Sequence, residues 1–319
     1  MRKLGRSDVE VPRLGMGTAP LGGWPQALDD DTAIATVRRA WELGVRYFDT
    51  APLYGHGNSE TRLAAVLGDE PREHFVLSTK VGRVLDPGAT DETLFKDVPP
   101  LTPVFDFSRT GVERSLRESR ERLGFDRIDV VLIHDPDDHH EQALAESFPV
   151  LDALRASGEI GAIGVGMNFS EPLARFATEA AFDCFLLAGR YTLLDQSSLD
   201  DLLPVCVERG MSIIAAGVYN SGILADPKPG ANYNYTAAAP ELVDRALAIK
   251  EVCDSFEVPL RAAAMRFPTF HPAVATVIVG ARSPAEVEDN AALFSHEIPD
   301  ELWTALRDRD LLRPDAPTP

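Results

Sequence analysis

The chain is expected to fold as an α/β protein, a (β/α)8 TIM barrel with long loops after strands 3 and 7. Two observations carry this: a series of short apolar runs, and amphipathic helical patterns between them. The runs cover residues 14–18, 45–49, 75–81, 128–134, 160–168, 185–191, 212–216 and 276–279. They are continuously apolar rather than alternating, as parallel strands covered on both faces should be. Helical patterns span 31–43, 109–123, 143–156 and 199–209. Asp30 or Asp31 precedes the first, and Gly44, Gly124 and Gly158 follow the first three. Strand then helix, repeated eight times, closes as a barrel. Two connections are too long for tight turns, 83–107 after the third run and 217–239 after the seventh. Both leave the strand ends where barrel active sites sit.

Barrels of this class run to about 250 residues or more as one unit, so the 319 residues are expected to form a single domain, 1–319, with 312–319 as a frayed tail. Hydrophobic content of 45% and charged content of 25% suit a globular protein. A net charge of -19 argues against a nucleic-acid partner, which needs clustered Lys and Arg. No signal-peptide core follows Met1-Arg2-Lys3, and no apolar run approaches a membrane span. Cys184, Cys206 and Cys253 are far apart and lack metal spacing. A cytoplasmic protein with reduced, buried thiols and no metal is expected.

The chemistry concentrates at strand ends. Asp49 ends the second run and Tyr54 follows five positions later, between Leu53 and Gly55. Lys80 lies near the end of the third run and His134 ends the fourth. A free tyrosine, with a pKa of about 10, is a poor acid or base near neutrality. An ammonium from Lys80, held by Asp49, is expected to lower the Tyr54 pKa, and His134 to orient the reacting oxygen. Each residue alone has an ordinary explanation, a helix cap, a solvated lysine or a core histidine. Four at successive strand ends point to proton handling. No GxGxxG follows the first strand, which speaks against a Rossmann domain. His139-His140 has poor ligand spacing for a metal hydrolase.

That set, in that order, resembles the aldo-keto reductase superfamily across nearly the whole chain. Tyr54-Gly55-His56-Gly57-Asn58-Ser59-Glu60 matches the family's YGxGxSE turn, and Gly164-Val165-Gly166-Met167-Asn168 resembles its GVSN. The resemblance implies hydride transfer with nicotinamide, with Tyr54 as general acid/base, Lys80 and Asp49 tuning it, and His134 orienting substrate. It implies that Asn168 reads the carboxamide and that Gly217, Gly280, Arg282, Ser283, Glu286 and Asn290 bind cofactor. Gly280-Ala281-Arg282-Ser283 opens a helix, a natural phosphate site. Met1–Val11 looks like the N-terminal β-hairpin that plugs the barrel's far end. Met167, Ala188 and Ala216 depart from the family, standing where serine, glutamine and tyrosine are common. Glu286 replaces a frequent glutamine. Arg282 favours NADP and Glu286 favours NAD.

Ile133-His134-Asp135-Pro136-Asp137 and Ala188-Gly189-Arg190-Tyr191-Thr192-Leu193-Leu194-Asp195-Gln196 are similar to a narrower branch. It comprises the D-threo-aldose (L-fucose) 1-dehydrogenases, L-galactose dehydrogenases and pyridoxal 4-dehydrogenases. The resemblance implies oxidation of an aldose hemiacetal at C1 to the lactone. Trp24, His56, Arg190, Tyr219 and Asn220 are candidate substrate contacts. The alternatives are pyridoxal oxidation to 4-pyridoxolactone, a general aldehyde or ketone reductase, and a cofactor-sensing subunit without turnover. A monomer or small homo-oligomer is expected.

Overall fold

The computed structural model describes residues 1–90, 93–234 and 236–319. Its parallel strands close into a barrel in sequential order, with the last pairing back to the first. They are β1 (Leu14–Gly17), β2 (Tyr47–Asp49), β3 (Val76–Val81), β4 (Ile128–His134), β5 (Ile160–Met167), β6 (Cys184–Ala188), β7 (Ser212–Ala216) and β8 (Val274–Gly280). Helices cover the outside: α1 (Asp30–Glu42), α2 (Asn58–Leu67), α3 (Arg109–Leu123), α4 (Phe148–Ser157), α5 (Ser170–Glu179), α6 (Leu202–Arg209), α7 (Pro240–Ser255), α8 (Leu260–Arg266), α9 (Pro284–Phe294) and α10 (Asp300–Asp308).

Several boundaries shift from the sequence reading for local reasons. β2 begins at Tyr47 because the Val45 N–H still bonds the Ala40 carbonyl, closing the turn after α1. β6 ends at Ala188 because Gly189 adopts a φ of +74° and turns the chain away. The pattern expected to start a helix at 143 first makes a wider π-type turn, Ala143–Ser147, before α4. α6 starts at Leu202, where Asp201 caps it, after a separate turn at Ser197–Leu199.

Side-chain alternation along the strands divides the molecule into two cores. Tyr47, Val130, Leu132, Ala162, Cys184, Leu186 and Ile214 fill the barrel interior. Phe48, Leu77, Val131, Ile133, Ile163, Phe185 and Leu187 point outward into the layer under the helices. An N-terminal hairpin, Arg2–Lys3 against Glu10–Val11, places Leu4, Val9 and Val11 in the interior core. Ser212 Oγ accepts the Gly5 N–H at 2.8 Å and fixes the hairpin to β7.

The interior parity continues to the strand tips and changes character there. On β2 the inward positions are Tyr47 and Asp49, on β3 Ser78 and Lys80, and on β4 Val130, Leu132 and His134. The apolar filling ends one step short of the C-terminal mouth, and the polar residues take its place.

Both long connections carry structure of their own. The one after β3 folds back as an antiparallel ribbon, Arg83–Pro87 with Leu101–Phe105. The one after β7 contains a short pairing of Asn232–Tyr233 with Thr236–Ala237. The tail, expected to fray, is packed. Leu312 and Ala316 are buried, Arg307 donates to the Ala316 carbonyl, and Arg313 grips both Asp200 carboxylate oxygens at 2.7 Å. Two apolar side chains and a bidentate ion pair hold a segment whose prolines read as loose.

Candidate active site

A cavity of about 700 Å³ opens at the C-terminal mouth. Every barrel strand contributes to its lining, from Gly17 on β1 to Gly280 on β8. A volume of this size suits a small-molecule site.

Asp49, Tyr54, Lys80 and His134 all line this cavity. Lys80 Nζ donates to Asp49 Oδ2 at 2.7 Å and to the Thr50 carbonyl at 2.9 Å. Ser78 Oγ donates to the other Asp49 oxygen at 2.7 Å, and the Tyr47 hydroxyl lies 3.1 Å from Ser78 Oγ. The carboxylate thus has both oxygens engaged, and the pair is 1% and 2% exposed. Burial works against the Lys80 charge, but Asp49 and then Tyr54 outweigh it and hold the ammonium's pKa above its ordinary value.

Tyr54 sits on the turn after β2. Its N–H bonds the Ala51 carbonyl at 3.1 Å, and its own carbonyl accepts the Ser59 N–H where α2 begins. Gly55 follows with a φ of +65°, and a side chain there would collide with the Gly22 backbone. Lys80 Nζ lies 4.6 Å from the Tyr54 ring centroid, and the His134 ring stands edge-on to it at 5.8 Å. The expected lowering of the Tyr54 pKa is not what results. Burial pushes it up to about 12, and Lys80 recovers only part of that.

His134 is pushed well below its ordinary pKa by burial, with Lys80 and Arg83 adding to the effect. It is therefore neutral near pH 7. Its Nε2 lies 3.6 Å from Asp135 Oδ2, beyond hydrogen-bond reach, and its enclosed Nδ1 has no partner among the described residues.

Other expected site residues divide into two groups. Trp24, His56, Asn168, Tyr219, Gly217 and Gly280 line the cavity. His56 is pinned at both ring nitrogens, to the Leu101 carbonyl at 2.7 Å and Thr93 Oγ1 at 2.9 Å, and so ties down the long loop. Arg190 and Asn220 do not line the cavity. The Arg190 guanidinium donates to the Gly189 carbonyl and Asn234 Oδ1, 3.8 Å from Asp195, and holds the two loops after β6 and β7 together. Asn220 is 4% exposed and donates to the Gly189 carbonyl at 2.9 Å.

Arg282, Ser283 and Glu286 lie outside the cavity at the start of α9. Ser283 Oγ accepts the Glu286 N–H, and Glu286 Oε2 accepts the Arg282 N–H at 2.8 Å, a reciprocal cap. The Arg282 guanidinium is committed to the Gln26 and Ala27 carbonyls. Asn290 is 7% exposed, accepts from Arg261 and donates to the Gly280 carbonyl.

Nicotinamide dinucleotide fits this donor set. The Asn168 amide makes no hydrogen bond within the described residues and opens on the cavity. A Cβ at Gly280 would lie 2.7 Å from the Pro20 ring, so the floor between β8 and the loop after β1 admits only backbone. Arg83, Phe95 and Asp135 line the cavity without having been read as site residues. Phe95 belongs to an irregular loop with no periodic signal. Asp135 appears in the sequence within the Ile133–Asp137 run that resembles the narrower branch, with no role of its own.

A barrel that gathers a phenol, an ammonium and an imidazole round one closed-walled mouth is built to move a proton alongside a second transfer. That is the equipment of a carbonyl–alcohol oxidoreductase. The description "Aldo/keto reductase family" fits residues 13–310 by its family model, and the chain belongs to that family. It is an NAD(P)-dependent oxidoreductase. It is 43% identical to a D-threo-aldose 1-dehydrogenase from a Pseudomonas species, covering 98% of this chain and 97% of the relative. A pyridoxal 4-dehydrogenase from Microbacterium luteolum is 41% identical, again over 98% and 97%. Among solved structures, the glycerol dehydrogenase of Gluconobacter oxydans superposes with a TM-score of 0.76 at 25% identity, covering 100% of this chain and 96% of that one.

Replacing Lys80 by Met leaves Asp49 charged and uncompensated in the interior. The variant is expected to lose about 3–5 kcal/mol of stability, read from urea unfolding. Adding Asp49→Asn should restore much of the loss. A Lys80→Met protein as stable as the parent would show that the pair is not a structural constraint.

Proposed function

We propose that the protein oxidises the C1 hemiacetal of an aldose, of the L-fucose or D-threo-aldose type, to the corresponding lactone. The observation that carries this reading is the Tyr54 ring in the cavity wall, 4.6 Å from the buried Lys80 ammonium and 5.8 Å from the neutral His134 ring. In this reading Tyr54 is the acid/base. Its phenolate takes the C1 hydroxyl proton as the C1–O bond becomes a carbonyl. Lys80, fixed by Asp49, stabilises the phenolate, and His134 Nε2 donates to the same oxygen to set its position. Bound nicotinamide supplies the hydride acceptor. Asn168 would hold its carboxamide, and Tyr219, which lines the same cavity, would offer the aromatic face that Ala216 lacks. Trp24 would pack on the sugar. The 43% identity to an aldose dehydrogenase over nearly full length supports the substrate class.

The cofactor reading is NAD rather than NADP. Glu286 is exposed at the start of α9, where a carboxylate would repel a 2′-phosphate, and Arg282 is already committed to backbone carbonyls. A cytoplasmic location fits a nicotinamide-dependent enzyme with three buried, unpaired thiols. The competing substrate is pyridoxal, given the 41% identity to a pyridoxal 4-dehydrogenase.

The direct test follows reduced-nicotinamide absorbance with L-fucose, D-arabinose, L-galactose and pyridoxal. Turnover of a sugar supports the reading, whereas pyridoxal alone would replace it. Tyr54→Phe should keep cofactor binding, read by fluorescence quenching, and lose turnover by about 10³-fold or more. Undiminished turnover removes Tyr54 from the role of acid/base.

With the Tyr54 pKa raised to about 12, the phenol is protonated at neutrality and the base form grows with pH. Oxidation should therefore accelerate from about pH 7 to pH 10, and the reverse reduction of the lactone, which uses the protonated form, should not. An oxidative rate that is flat over that range contradicts the assignment. Glu286→Gln, which keeps a cap acceptor, should raise NADP use relative to NAD by about tenfold. An unchanged ratio takes Glu286 out of cofactor choice.

A further inference from the structure

Asp135 follows directly on the inward-facing His134, where a regular strand would turn it out of the barrel. It does not follow that rule. It adopts a φ of +45°, a left-handed conformation rare outside glycine, and it lines the cavity. Its Oδ2 accepts from Arg83 Nη2 at 3.0 Å and lies 3.6 Å from His134 Nε2. Its Oδ1 has no hydrogen bond within the described residues, and the side chain, 24% exposed, borders the cavity. Arg83 is itself steadied, with its guanidinium 4.0 Å over the Phe105 ring of the ribbon. Burial pushes the Asp135 carboxyl above its usual range, while Arg83 pulls it back. A carboxylate short of donors thus stands beside His134 in the cavity wall.

We propose that Asp135, held by Arg83, is a specificity-determining acceptor for the hydroxyl on the carbon next to the reacting one, which makes the site selective for 2-hydroxylated aldoses. The proposal rests on the aldose reading above, with the C1 oxygen at His134 Nε2. The Asp135 carboxylate lies 3.6 Å from that nitrogen, so a substrate whose C1 oxygen bonds Nε2 can place the hydroxyl of the next carbon within its reach. The free Oδ1 accepts that hydroxyl, and Arg83 keeps the carboxylate charged and oriented. A carboxylate accepting from a sugar hydroxyl makes a charge-assisted bond, stronger than a neutral one. An aldehyde without a neighbouring hydroxyl gains nothing from it.

The ordinary explanation for the Asp135–Arg83 pair is a strut that fixes the ribbon to β4, and the experiment must separate the two. The kcat/KM values of the parent protein and of Asp135→Asn are measured with L-fucose and with 2-deoxy-L-fucose, each with NAD. Asn tolerates the left-handed backbone, and thermal unfolding checks that the variant is folded. The parent should lose about 10- to 100-fold on removal of the C2 hydroxyl. In Asp135→Asn that penalty should shrink to about threefold or less, because the partner has gone. A variant that loses activity equally on both sugars, or keeps the parent's full penalty, overturns the proposal and leaves only the strut. A parent protein silent on both sugars but active on pyridoxal overturns the aldose reading itself, and the proposal with it.

Discussion

Two opposite charges, Lys80 and Asp49, are held 2.7 Å apart with almost no solvent contact, and the rest of the mouth is arranged round that fact. Removing each ion from water costs several kcal/mol, which the pair regains only when the remaining lone pairs and protons also find partners. Ser78 completes the Asp49 carboxylate, Tyr47 backs Ser78, and the Thr50 carbonyl takes a second Lys80 proton. These partners stand on β2 and β3 or on the residue just beyond β2, so strand pairing sets the geometry before any substrate arrives. The ammonium is then fixed beneath Tyr54, and its field reaches His134, which it helps to keep neutral.

The same burial has opposite effects on the two rings. It drives Tyr54 toward its neutral, protonated form and His134 toward its neutral, unprotonated form. The mouth therefore presents a protonated phenol and a neutral imidazole at right angles, although four formal charges lie close by in Lys80, Asp49, Arg83 and Asp135. Charge is carried by the groups around the two rings, and near neutrality the rings themselves are uncharged.

The barrel and the strand-tip residues Asp49, Lys80 and His134 were legible in the sequence because both follow from one period, and Tyr54, on the turn after β2, was legible from the Tyr54–Glu60 motif. Continuous apolar runs announce parallel strands, and the two-residue alternation that fills the interior with Val130 and Leu132 also delivers His134. The same rule explains what was missed. Asp135 breaks the alternation through its left-handed backbone, which no pattern of residue types reveals. Arg190 and Asn220 were the right residue types in the right loops, yet both donate to the Gly189 carbonyl instead of lining the cavity. The Tyr54 pKa was misjudged because a sequence displays the charged neighbour but not the depth of burial. The tail looked loose by composition and is held by Leu312, Ala316 and Arg313.

The ribbon Arg83–Pro87 and Leu101–Phe105 contributes cavity walls but stands outside the strand pairing that closes the barrel. It is tied down by Arg83 to Asp135, by the loop contacts of His56, and by α3, from which Arg114 donates to Asp86 and the Leu85 carbonyl and Ser115 to the Arg83 carbonyl. Sequence change there need not disturb the Lys80–Asp49 pair or either core. Part of the cavity wall and the ion pair at the strand tips are thus carried by separable parts of the chain, so sequence change in the ribbon can reshape the cavity while the barrel that holds Lys80 against Asp49 is kept.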